Sequence, residues 1–218
     1  MSSFFKPRVY RTLCTFVFIP VLFLSCIGSS AQIKLNSDGS GTFTQEIRIS
    51  SELMELGELD GNADQLPVPL GKEDLERTVD RIPGLRLLSY SSQEDGKDMI
   101  FRAEYAFDSP EALEALFSSN DQDFKIDMKE KRIRMTFPET ESVGSEFMEM
   151  MASMFEGYEF STSFLVPGKA AVAWFDEDGK KIQKFPGSCS VKDKTVDYTV
   201  TMTDMVYLDS PLTLEVSW

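Results

Sequence analysis

The sequence contains no histidine. Its absence removes the commonest general base, every Ser–His or Cys–His nucleophile pair and most zinc ligand sets. Cysteine is scarce as well, with three in 218 residues, none in a Cys-x-x-Cys pair. There is no Gly-rich phosphate loop and no Gly-x-Ser-x-Gly elbow. Carboxylates alone can do acid–base work, but nothing in the pattern singles out a pair. The expectation is a chain that is not an enzyme, with no catalytic residue, no metal site and no cofactor.

Positive charge is also in short supply, 22 Lys and Arg against 36 Asp and Glu. Lys6, Arg8 and Arg11 all precede Cys26, in a stretch without any acid. Removing them leaves 19 bases against 36 acids, a balance of −17 for the remainder. Such a surface repels phosphates and anionic headgroups over a Debye length of about 8–10 Å, so nucleic acid is excluded as a partner. What the chain has in quantity is bulky apolar material, 17 Phe and 11 Met. Chains that stay disordered lack it, and about 190 residues suffice for a buried core.

The first thirty residues have the parts of an export signal. A basic Met1–Arg11 leads into an uncharged apolar run from Leu13 to Ile27, followed by Gly28, Ser29, Ser30 and Ala31. Three fates fit this segment. Phe23-Leu24-Ser25-Cys26 resembles a bacterial lipobox, with Phe where Leu is usual, in which the cysteine is acylated and becomes the new N-terminus. Ser29-Ser30-Ala31 also suits an ordinary signal peptidase, and the run could stay as an anchor, although it falls short of the ~20 residues of a spanning helix. Cysteine usage agrees with the first fate. Cys14 leaves with the leader, and an acylated Cys26 leaves Cys189 unpaired; a Cys26–Cys189 disulfide is the competing arrangement. The expected organisation is a lipoprotein-type signal peptide over residues 1–25, a tether over 26–31 and one domain over 32–218. The expected location is the bacterial cell envelope, at the outer membrane or cell surface, held by N-terminal acyl chains.

Period-two alternation dominates the mature part. Phe43, Ile47 and Ile49 oppose Thr44, Glu46 and Arg48, and the pattern recurs at 101–107, 124–128, 132–137, 160–166, 171–175, 196–202 and 212–218. Asp38-Gly39 between alternating runs predicts a type I′ hairpin, and Asp95-Gly96 and Asp178-Gly179 predict further turns. Helices are expected at Ser51–Leu59, at Leu70–Ile82 before Pro83-Gly84, from Ser109-Pro110 onward, and at Gly144–Gly157. Glu58–Pro69 reads as an acidic loop. The fold class is α+β, a predominantly antiparallel β-sheet of about six to nine strands with several short helices packed on it.

Two segments invite functional readings. Phe147, Met148, Met151, Met154 and Phe155 put flexible, polarisable side chains at helical spacing, which suits an apolar ligand such as an acyl chain. A stripe of Phe147, Met150, Met151, Met154 and Phe155 equally fits a helix covering the sheet, with Met148 off that stripe and exposed. Asp176-Glu177-Asp178-Gly179 lacks the spacing of a calcium loop and reads as a hairpin turn.

An acylatable Cys26, a short tether, a strand and Asp38-Gly39-Ser40-Gly41 together resemble the LppM-type domain of bacterial lipoproteins. Phe164-Leu165-Val166-Pro167-Gly168 and Glu215-Val216-Ser217-Trp218 resemble the closing pattern of that family, without its Asn-Gly after the Pro-Gly. The resemblance implies an α+β envelope domain with affinity for amphipathic lipids or glycolipids. The expected partners are therefore an amphipathic lipid or an envelope protein, the alternative being a structural or surface-exposed protein without a small ligand.

Overall fold

A computed structural model describes residues 27–51, 71–140, 148–149, 152–153 and 155–218. The leader, Cys26, Phe147, Met151, Met154 and the helix and loop expected over 52–70 lie outside these. The strands are β1 (Ile27–Leu35), β2 (Gly41–Ser50), β3 (Leu85–Asp95), β4 (Asp98–Phe107), β5 (Asp123–Asp127) and β6 (Arg132–Phe137), followed by β7 (Glu159–Leu165), β8 (Ala171–Phe175), β9 (Lys181–Ile182), β10 (Ser188–Lys192), β11 (Thr195–Thr201) and β12 (Leu212–Ser217). Among the described residues the helices with both ends in view are α1 (Lys72–Arg81), α2 (Pro110–Ser118) and α3 (Met202–Val206). The class is α+β, as the alternation indicates. The strands divide into two sheets, in orders β10-β11-β7-β1-β2-β4-β3 and β5-β6-β12-β8-β9. Every pairing is antiparallel except β1 with β7.

An aromatic layer joins the sheets. Phe137 of β6 meets Phe160 of β7 edge-on at 5.6 Å and Tyr198 of β11 at 5.7 Å, while Trp174 of β8 lies 4.8 Å from Tyr198. Burial pushes the Tyr198 phenol well above its ordinary range, and that of Tyr105 up to about 12. Helix α2 closes the other end. Its Phe117 packs against Phe43 of β2 and stacks on Phe124 of β5. Glu114 then fixes α2 to β5, accepting from the Ile126 N–H at 2.7 Å and from Lys125 Nζ at 3.1 Å. Pro110 opens α2 as expected, but Ser109 makes no side-chain capping bond. Its hydroxyl donates to the Glu111 carboxylate instead.

Two expectations need correction. The Asp38-Gly39 connection is not type I′, because Asp38 keeps a negative φ and only Gly39, at 89°, is left-handed. Gly39 N–H donates to Asn36 O, and Asn36 N–H to Ser40 O. This is a type I turn followed by a left-handed Gly, and it recurs over Asp176–Lys180. The second correction matters more. Residues 27–31 are not a tether: they form the first half of β1, paired with β2 throughout and with β7 from Ser29 onward. Small residues resembled a flexible leader exit, but sheet pairing on both sides overrides their weak strand preference.

Candidate functional site

Gly28 and Ser30 face away from the second sheet, since Ile33 and Leu35, of the opposite parity, enter the core. Across β1 they are level with Arg48 and Glu46 on β2, and Ser30 with Ser161 on β7. Small side chains between longer ones leave a cleft of about 340 Å³ with Gly28, Ser29, Ser30 and Ser161 along its floor. Tyr158 walls one end, its ring so close to Gly28 that a Cβ there would sit 3.2 Å from it. A tight turn holds that ring: Tyr158 N–H donates to Phe155 O, Gly157 has φ 85°, and Tyr158 O accepts from Met202 N–H.

Asp98 is the buried charge of the cleft. It accepts from Tyr158 Oη at 2.9 Å and from Arg48 Nη1 at 3.5 Å, and the same guanidinium nitrogen is 3.5 Å from Asp95. Burial, and then the Asp98 carboxylate, raise the Tyr158 phenol above its ordinary pKa. The Tyr158–Asp98 bond ties the ring to the start of β4.

A second, apolar cleft of about 140 Å³ opens between the sheets, where Phe43, Phe117, Met135, Phe137 and Phe160 meet. Small-molecule sites usually enclose about 300–1,000 Å³, so size favours the polar cleft.

The methionine-rich segment is packing in the part that is described. Phe155 is fully buried against Met202 and Val206, with Met148 beside them. Met148 is therefore half-buried, where exposure was expected. The Asp176–Gly179 carboxylates serve their turn, with Asp176 accepting from Lys180 N–H and Asp178 from Lys180 Nζ. Among the described residues no group of three or more Cys, Asp and Glu could hold a metal ion.

Strand register sets the surroundings of Cys189. Cys189 on β10 is level with Tyr198, Thr162 and Ala31 across β11, β7 and β1. Three strand spacings, about 14 Å, separate it from Ala31, and Ile27 lies about 13 Å further along β1. Cys26 itself lies outside the described residues. Cys189 is a free thiol, and burial and then Asp197 raise its pKa.

No sequence family and no curated protein matches this chain. Among solved structures, the NMR structure of the folded domain of LppM from Mycobacterium tuberculosis is similar, with TM-score 0.46, 7% identity and coverage of 89% of this chain and 91% of that one. That likeness is one of architecture alone. A trigger factor chaperone aligns with TM-score 0.13 and 14% identity over 84% of this chain and 53% of that one, which is not a shared fold. The cleft was not legible in the sequence beforehand. It draws on β1, β2, the β3–β4 turn and the approach to β7, and only the run Gly28-Ser29-Ser30 inside a strand could have signalled it.

Proposed function

We propose that this chain is a bacterial envelope lipoprotein, acylated at Cys26, whose acidic domain binds an amphipathic lipid without performing chemistry. One observation carries the reading: β1 begins at Ile27, the residue after Cys26, so the cleft of lipid-head size adjoins the anchoring residue. The basic leader and the Ser25-Cys26 pair support acylation. The missing histidine and a lone thiol whose pKa is raised support a role without catalysis.

A purely structural or partner-binding role is favoured by a different observation, the complete burial of Phe155, which leaves that part of the methionine segment inside the core. Native mass spectrometry of the protein extracted from its own membrane separates the two. A mass bearing acyl chains and a retained lipid supports the proposal, and an acylated protein without lipid supports the structural role.

A further inference from the structure

Lysine is unevenly distributed along the strands. Strand β1 spans about 26 Å, from Ile27 beside the proposed anchor to Leu35. At the Leu35 end Lys34 is level with Leu165, Leu165 with Thr195, and Thr195 with Lys192. The loops beyond that row are joined to one another: Val166 N–H donates to Lys194 O and Ala170 N–H to Asp193 O. The β5–β6 turn reaches the same corner, since Trp218 N–H donates to Lys131 O and the indole lies against Gly168. Lys34, Lys129, Lys131, Lys169, Lys192 and Lys194 therefore share one end of the molecule. All six are exposed, and among the described residues none is in an ion pair. Arg132 and Arg134 nearby are balanced by Asp127 and Glu215, to which they are paired. The remaining acids of this corner are Asp38, Glu130, Asp193 and, about 7 Å down β11 from Thr195, Asp197. At the Ile27 end the balance is reversed, with four acids and two bases lining the cleft.

We propose that this lysine end docks on an anionic phospholipid bilayer. The chain as a whole repels such a surface. Its two ends, however, lie more than two Debye lengths of roughly 8–10 Å apart, so each meets a charged surface by itself. Each lysine close to an anionic leaflet adds to the attraction, and Trp218, half-buried among them, suits the headgroup region. The lysines fit a surface better than a small anion: Lys34 and Lys192 alone are three strand spacings, about 14 Å, apart. The inference rests on the lipoprotein reading above only for which bilayer is engaged. Acylation at Cys26 holds the Ile27 end on one membrane, and the lysine end then faces a second one.

The test uses the full-length Cys26→Ala chain, so acylation plays no part in it, with vesicles of phosphatidylcholine alone or containing phosphatidylglycerol. Of the two tryptophans Trp174 is buried, and the leader holds none, so a change in emission reports the Trp218 end. A blue shift on the phosphatidylglycerol vesicles, absent on pure phosphatidylcholine and reversed by added salt, is the expected result. Lys131→Gln, Lys169→Gln and Lys194→Gln combined should weaken the apparent affinity at least about tenfold without moving the melting temperature. No shift with phosphatidylglycerol, an equal shift on pure phosphatidylcholine, or unchanged affinity in the combined variant would overturn the inference. None of these results bears on whether the wild-type Cys26 is acylated, which fatty-acid labelling reads separately.

Discussion

Trp218 lies across Gly168, so close that a Cβ on Gly168 would sit 3.2 Å from the indole Cδ1. The contact joins the Pro167-Gly168 turn after β7 to the residue that follows β12, and Trp218 N–H donates to Lys131 O. Two motifs about fifty residues apart thus close one corner of the molecule. Gly168→Val should displace the indole and cost about 1–3 kcal/mol, the usual range for overpacking. A lower melting temperature with red-shifted tryptophan emission is the expected result. Unchanged emission would show that the indole does not depend on this contact.

Gly41 opens β2 beneath the Phe107 ring, and a Cβ there would overlap both that ring and the Lys34 carbonyl oxygen. Because the carbonyl belongs to the backbone of β1, it cannot rotate aside. Gly41→Ala should therefore cost about 3 kcal/mol, the upper end for an added methyl group. Chemical denaturation measures this directly.

How much of this was legible beforehand depended on burial contrast. The second half of strand β4 alternates, with Ala103, Tyr105 and Phe107 buried, and was read directly from sequence; in its first half the phase slips, burying Asp98 and Ile100 and leaving Phe101 half-buried. Strand β3 escaped because only Leu85 of its eleven residues is buried; it is an edge strand with a register shift between Leu87 and Ser89 that leaves Leu88 exposed. Strand β10 is likewise an edge strand without a buried residue. The parallel β1–β7 pairing joins segments more than a hundred residues apart, and the second sheet pairs β12 with the distant β6 and β8, which no local period records.

The methionine segment makes a graded prediction. Phe155→Ala should cost about 3–5 kcal/mol, as for other buried aromatic truncations, and Met148→Ala about 1 kcal/mol because its side chain is only half enclosed. A silent Phe155→Ala would contradict the packing role. Thermal melts of both variants give the comparison.

Asp127 makes a pH-dependent one. Its carboxylate accepts from Glu130 N–H at 2.9 Å and Lys129 N–H at 3.0 Å, closing the β5–β6 turn in which Lys131 adopts φ 52°. The Glu130 bond above all, with help from Lys129 and the Arg132 charge, holds its pKa below the ordinary 3.8. A depressed carboxylate stabilises the fold fully above its unfolded pKa and loses that contribution as pH falls through the lower folded value. The melting-temperature gap between wild type and Asp127→Asn should be widest at neutral pH and close as pH falls through the lowered folded value. A gap that persists in acid would show that the carboxylate charge is not its origin.

The envelope reading proposed above rests on acylation at Cys26. Stable attachment needs more than one acyl chain, since each buried methylene contributes only about 0.8 kcal/mol. Cells expressing the full-length chain and its Cys26→Ala variant should be fed a clickable fatty acid and the protein purified under denaturing conditions. The account predicts strong label on the wild type and none on Cys26→Ala; equal label on both, or none on either, would contradict it.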